Sequence, residues 1–302
     1  MVGVVTESSK FDAATATAKT NVNCAAIAPF YYEIGNQNAA VLISGSTGDG
    51  SVGRKTNVAI SSSSQWMFGA YVLQKLNGVV DPVSDKFLKL SSGYSTFGNT
   101  SCSSSSTVLA CQTTASNSTY TVGNDNKFYY SGGHFQKWGV DNNLGALTNA
   151  QLVAEYRTYL GSDLNFTFAS PQLSGGITTN AETYALFLRK MMSSQLLMGA
   201  ALGKNAICTL PSNCPDNSVS SPVPLAWTYS YGHWVESDAT GDGSFSSPGL
   251  YGFYPWISAD KKYYGIISRS FTGSGTNELA AGWASHLCGK AIRKAYFSGV
   301  VQ

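Results

Sequence analysis

Four consecutive serines, Ser61 to Ser64, stand at the head of an apolar run, and Gln65 follows Ser62 by three places. A serine hydroxyl becomes a nucleophile when a neighbour takes or orients its proton. If the run is helical, residues three apart share a face, so Ser62 and Gln65 meet there. A helix start also gathers unpaired backbone N–H groups, which stabilise the negative charge that develops when a hydroxyl attacks a carbonyl. The Gln65 amide can orient a hydroxyl but cannot accept its proton. Taken alone, the serine run reads as a helix cap and a polar loop.

The element that must carry this pair is readable. Trp66, Met67, Ala70, Leu73 and Leu76 recur at helical spacing, and Asn77-Gly78 supplies a stop, which predicts an amphipathic helix.

Ser62-Ser63-Ser64-Gln65-Trp66, followed by Phe68-Gly69-Ala70-Tyr71-Val72, resembles the start of the buried helix in serine β-lactamases, penicillin-binding DD-peptidases and related esterases. Those proteins carry Ser-x-x-Lys, and here glutamine stands in place of the lysine. Phe128-Tyr129-Tyr130-Ser131-Gly132, with Phe135 beyond, is similar to the family's second motif, Tyr-x-Asn. The resemblance implies Tyr130 as the proton relay and puts Gly132 where a substrate-binding asparagine is usual. A register one residue earlier would use Tyr129 and Ser131. The third motif, a basic residue then x-Gly, falls on Ser247-Pro248-Gly249, where the glycines Gly249 and Gly252 fit and the basic group does not. The resemblance implies that Gly132, Ser247 and Gly249 face substrate. His233 and His134 lie nearest these motifs and are candidate bases for Ser62, with His233 also counted toward substrate binding; each alone reads as a strand histidine bonded to backbone. An ordinary tyrosine, with a pKa of about 10, is a poor base at neutral pH unless a cation lowers it.

Composition bounds the alternatives. The 302 residues suffice for one large domain or two intimate lobes. Charged residues make up 12% and the net charge is +2, which points to neither nucleic acid nor an anionic membrane. No apolar run approaches the ~18 residues of a membrane span. The first residues do not form a signal peptide, because Glu7 and Lys10 interrupt any apolar core, and a leader removed beforehand is compatible with that. The six cysteines include no Cys-x-x-Cys and the histidines number three, so neither metal nor cofactor is expected. Gly48-Asp49-Gly50 and Gly241-Asp242-Gly243 are turn chemistry without the spacing of a calcium loop. Six cysteines allow 15 pairings. Cys102/Cys111 and Cys208/Cys214 each bracket a short loop, which leaves Cys24 with Cys288. With sequons at Asn99, Asn117 and Asn165, this favours an oxidising, extracytoplasmic home.

In chain order, residues 1–28 read as a peripheral arm or short helix. Residues 29–34 and 39–44 read as strands joined by a hairpin loop. Capping boxes at Thr148/Gln151 and Thr179/Glu182 start two helices. Gly175-Gly176 before the second is similar to a glycine pair in the same hydrolases. Residues 227–236, 250–258 and 263–269 read as antiparallel strands, and 277–297 as a terminal helix opened by Glu278. The expected fold is α+β and β-lactamase/DD-peptidase-like, an antiparallel sheet flanked by helices plus a helical lobe. One domain of two lobes follows, with a sheet lobe near 29–60 and 225–302 and a helical lobe near 61–224. In that fold the chain ends return to the first hairpin, which brings Cys24 to Cys288.

Two functions follow. One is an acyl-serine hydrolase acting on a small ester, amide or peptide-like substrate, weakened by its altered motifs. The other is a silenced relative, a binding or structural protein on the same scaffold. β-Lactam resistance is not expected, because in the family that activity depends on the missing lysine. The sequence leaves the oligomeric state open.

Overall fold

The computed structural model describes residues 6–38, 41–98, 102–271 and 280–302. The expected sequon at Asn99, the helix-opening Glu278 and the start of the second strand at Ala39-Ala40 lie outside them. Ten helices occur among the described residues: α1 (Glu7–Thr20), α2 (Val22–Ala25), α3 (Ser64–Lys75), α4 (Pro82–Leu88), α5 (Val108–Thr113), α6 (Gly133–Asp141), α7 (Asn149–Leu160), α8 (Ala181–Met192), α9 (Met198–Ala201) and α10 (Ala280–Ser298). Along the first part of the chain the strands are β1 (Tyr31–Asn36), β2 (Ile43–Ser46), β3 (Val58–Ala59), β4 (Phe128–Tyr129), β5 (Thr167–Phe168) and β6 (Ile177–Thr179). Then come β7 (Ile207–Cys208), β8 (Ser218–Ser220), β9 (Thr228–Ser230), β10 (His233–Val235), β11 (Phe245–Ser246), β12 (Tyr254–Ile257) and β13 (Tyr263–Ser268).

The main sheet has the order β2-β1-β13-β12-β11-β10-β9-β7 and is antiparallel throughout. The chain therefore lays down one edge first, leaves for the helices, and returns to complete the sheet. β1 meets β13 with Glu33 opposite Ile266. The run read as one strand over 227–236 is a hairpin, because Gly232 adopts φ +79° and turns the chain between β9 and β10. The run 250–258 becomes strand only from Tyr254, since Gly252, at φ +99°, closes a turn before it.

Helix α3 departs from the amphipathic expectation. Every residue from Ser64 to Leu73 is buried, so the helix is enclosed on all sides. Two glycines let it approach the β9–β10 turn: a Cβ on Gly69 would lie 2.3 Å from the Tyr231 carbonyl, and one on Gly232 would lie 2.2 Å from that of Gln65.

The Thr148/Gln151 capping box starts α7 as expected. The second box is not formed. Asn180 caps α8 by accepting from Thr183 N–H, while Thr179 stays in β6 and donates its hydroxyl to the Asn165 carbonyl at 2.8 Å. Glu182 turns instead to Arg54, at 2.8 Å. The helix begins at Ala181, so Asn180 directly before it is the cap, while Thr179, one place further back, is still paired with Val58 in the sheet.

All six cysteines are bonded, as Cys24–Cys288, Cys102–Cys111 and Cys208–Cys214. The first joins α2 to α10 across 264 residues of sequence. No described helix is long and apolar enough to cross a membrane. Among the described residues no group of three or more His, Cys, Asp or Glu side chains is placed to hold a metal ion.

Candidate active site

The four serines have four different surroundings. Ser61 holds a left-handed backbone, φ +47°, a conformation that costs a non-glycine residue energy and recurs at functional sites. Ser62 sits in the 3-10 turn Ser61–Ser63 that leads into α3, and it lines a cleft of about 60 Å³. Ser63 is buried and donates to the Ser247 carbonyl at 2.6 Å. Ser64 is buried and accepts from Ile177 N–H at 3.3 Å. The turn is further held by Tyr184, whose hydroxyl donates to the Ser63 carbonyl at 2.8 Å, and by Ser247, whose hydroxyl donates to the Ser62 carbonyl at 3.1 Å. Strand β6, helix α8 and the segment after β11 thus fix the backbone that presents Ser62.

Gln65 lines the same cleft and is 3% exposed. Its Nε2 donates to the Tyr130 oxygen at 3.1 Å, and its Oε1 accepts from the Tyr229 hydroxyl at 2.5 Å. Burial pushes the Tyr229 phenol well above its ordinary value, so it stays protonated and can serve as that donor. Tyr130 packs against the Trp234 ring, with centroids 5.5 Å apart. Its amide donates to the Ser220 carbonyl at 3.1 Å, beside the short parallel pair of β4 and β8. Tyr130, Ser131 and Gly132 line the cleft and Tyr129 does not, so both residues of the first register reach it and only Ser131 of the second does.

Gly132 also lines the cleft and begins α6. A Cβ there would lie 2.3 Å from Ser174 Oγ and 3.0 Å from the Phe97 ring. The space an asparagine would need is therefore already filled.

Several expected site residues are elsewhere. His233 is fully buried, stacked on Trp66 at 5.5 Å; its Nε2 accepts from Gly203 N–H at 3.0 Å. Burial pulls it down to about 4. His134 lies in α6, held between Ser92 and the Tyr129 carbonyl, and burial pulls it down to about 3. Neither histidine lines the cleft, and each occupies the backbone-bonded position that a lone strand or helix histidine usually takes. Ser247 and Gly249 do not line it either. They brace Ser62 from behind: a Cβ on Gly249 would lie 2.2 Å from the Ile60 carbonyl. From this segment the wall comes instead from Leu250 and Tyr251, the next two residues.

Tyr229, Gln172, Ser174 and Tyr251 were not singled out in the sequence. Tyr229 is one of 17 tyrosines, and alternation alone does not separate it from Tyr231. Gln172 and Ser174 directly precede Gly175-Gly176, which was a usable signal.

This fold recurs in solved structures. A putative β-lactamase from Bacteroides dorei superposes with a TM-score of 0.61 at 18% identity, over 89% of this chain and 93% of that one. The fold is that of the serine β-lactamases and penicillin-binding proteins. The D-amino acid amidase of Ochrobactrum anthropi is similar at a TM-score of 0.63 and 10% identity, over 88% of this chain and 95% of that one. A D-stereospecific amidohydrolase from Streptomyces gives 0.59 at 12% identity, over 98% and 100%. No protein-family model matches the chain, and no curated protein sequence does. Within this β-lactamase-like fold, the cleft lies at the start of α3, and among the described residues lining it none carries a charge.

Proposed function

We propose that the protein is a serine hydrolase forming an acyl-serine intermediate on a small ester or amide, with weakened activity. The observation that carries this is the chain of contacts Tyr130–Gln65–Tyr229 in the cleft that Ser62 lines. In this reading Ser62 Oγ attacks the carbonyl carbon and its proton passes by way of Tyr130 to the leaving group. Backbone N–H groups at the start of α3 hold the oxyanion, and Gln65 orients Tyr130 without taking a proton. The left-handed Ser61 is the kind of backbone strain that persists where a nucleophile is being aimed. The solved structures with this fold include an amidase and a hydrolase with promiscuous acyltransferase activity, which supports the reaction class. We read the chain as one domain with a sheet lobe (29–60 and 225–302) and a helical lobe (61–224), and the three disulfides support an extracytoplasmic location.

A second reading, a binding protein that has lost turnover, is favoured by one observation: neither His134 nor His233 lines the cleft, and among the described residues no Lys or Arg does. Intact-mass analysis after treatment with a fluorophosphonate separates the two. A single adduct on wild type that is absent from Ser62→Ala supports the hydrolase. An unmodified wild type supports the binding protein. Turnover of p-nitrophenyl esters is expected to be slow or undetectable in either case.

A further inference from the structure

Gln172 stands at the cleft wall with almost none of its hydrogen-bonding capacity committed. A primary amide offers two N–H donors and two acceptor lone pairs. Among the described residues this side chain makes one long polar contact, from Nε2 to Ser174 Oγ at 3.4 Å. Gln65, the other amide of the cleft, has both ends bound to phenols.

The backbone that carries Gln172 is held firmly. Gln136, fully buried in α6, donates through Nε2 to the Pro171 carbonyl at 2.9 Å and accepts from Leu173 N–H at 3.0 Å. The Gln172 carbonyl accepts from Gly176 N–H at 2.8 Å, closing the turn. The side chain lies over Gly175, where a Cβ would sit 3.3 Å from its Nε2. A fixed backbone under an uncommitted amide is what a recognition group needs, since little ordering remains for a ligand to bring about.

The rest of the wall agrees in chemistry. Ser61, Ser131, Ser174 and Tyr251 add hydroxyls, and no described lining residue carries a charge. A carboxylate entering such a cleft would lose its hydration without meeting a cation. A peptide-type amide would pair both its N–H and its C=O with the Gln172 side chain.

We propose that Gln172 is a specificity-determining residue that holds an uncharged, amide-bearing acyl group beside Ser62. The inference names the substrate class for the hydrolase reading and rests on it for the reaction only, because the recognition can be measured without turnover.

The test uses three small ligands of one shape: N-acetylglycine N-methylamide, the isosteric methyl ester in place of its terminal amide, and N-acetylglycine with its free carboxylate. Their affinities for wild type, Gln172→Ala and Ser62→Ala are compared by ligand-detected NMR. The expected result is about tenfold tighter binding of the diamide than of the methyl ester or the carboxylate to wild type and to Ser62→Ala, with the preference over the ester lost in Gln172→Ala. Gln172→Asn, which keeps the amide on a shorter stem, should retain part of it. Equal affinity of the diamide for wild type and Gln172→Ala overturns the proposal, as does tighter binding of the carboxylate. Absence of a fluorophosphonate adduct on wild type would count against Ser62 as nucleophile and leave this comparison decisive for Gln172.

Discussion

Around Ser62 the buried polar groups are neutral: the Gln65 amide lies between the phenols of Tyr130 and Tyr229. Under the terminal helix they are ionic. Arg293 of α10 donates to Glu236 at 2.6 Å and pairs with Asp242 at 2.8 Å; Tyr254 donates to Glu236 at 2.6 Å, and His286 Nδ1 lies 3.5 Å away. Burial alone would raise the Glu236 carboxyl, yet Arg293, His286 and the Tyr254 hydroxyl hold it well below the usual carboxylate range. The same sheet thus carries one ionic cluster where α10 docks and another on β1, where Glu33 pairs with Arg54 at 2.9 Å, while the described residues lining the cleft carry no charge. A neutral cleft can orient and recognise, whereas rapid activation of a serine needs a proton acceptor. Charge at the α10 junction does a different task, since removing one partner there would strand the other in a dry interior.

The largest expected effect tests the neutral side. Ser62→Ala should abolish fluorophosphonate labelling. Gln65→Lys should raise the labelling rate at least tenfold, because an amine buried between two phenols loses its proton readily and becomes the missing base. Fast labelling of wild type with no gain from lysine would show that another group already does that work.

Next in size is the ionic side. Glu236→Gln should lower stability by about 3–5 kcal/mol, read from denaturant midpoints, since it leaves the Arg293 guanidinium short of a buried partner. A loss below about 1 kcal/mol would mean that Asp242 alone satisfies Arg293, and the contrast between the two regions would then be one of geometry only.

The sequence made these two regions legible to very different degrees. The serine cluster, Gln65 and Tyr130 were readable because a short motif keeps fixed spacing along the chain, and Thr148/Gln151 was readable because a capping box is local. The Glu236–Arg293 pair was not, since its partners are 57 residues apart and nothing local marks either. Ser247 and Gly249 lie in the segment that reaches the site, but the chain turns there between β11 and β12, and the cleft wall comes from Leu250 and Tyr251. His233 was misjudged because closeness in sequence to a motif says nothing of which side of the hairpin a ring will occupy. Gln172 was signalled only by the Gly175-Gly176 pair that follows it, and no spacing rule reveals that Gln136 of another helix pins its loop.

A smaller effect separates the regions by pH. His134 and His233 have ordinary values near 6.5 and are pulled by burial down to about 3 and about 4. As pH falls below 6.5 the unfolded chain takes up protons on these rings and the folded one does not, so stability declines from pH 6.5 toward 4. Glu236 adds a second decline. Its contribution is fully present above the unfolded value near 4.5 and is lost as pH falls through its depressed folded value. Denaturant midpoints at pH 7.5, 5.5 and 4.0 should therefore fall steadily, and His134→Asn should flatten the first part. The labelling rate per folded molecule should stay level from pH 7.5 to 5.5, because among the described residues no histidine or carboxylate lines the cleft. A labelling rate that follows a pKa near 6 would place a histidine back in the mechanism.

The smallest expected change comes from Tyr229→Phe. The substitution keeps the ring that packs edge-on to Trp234, with centroids 5.0 Å apart, and removes only the hydroxyl that donates to Gln65 Oε1. A buried amide oxygen left without its donor costs about 1–3 kcal/mol. The midpoint should fall by the lower part of that range, because the Gln65 amide can still turn its oxygen toward the Tyr130 hydroxyl. That reorientation is itself the informative consequence. It would convert Tyr130 from acceptor to donor in its contact with Gln65, so its proton would point away from the cleft. A relay through Tyr130 would then slow further, and fluorophosphonate labelling should drop severalfold with little loss of stability. Tyr130→Phe should remove at least as much labelling. If Tyr229→Phe leaves the rate unchanged while Tyr130→Phe abolishes it, the relay does not depend on how Gln65 is oriented. The neutral network would then be packing rather than a device that aims a proton.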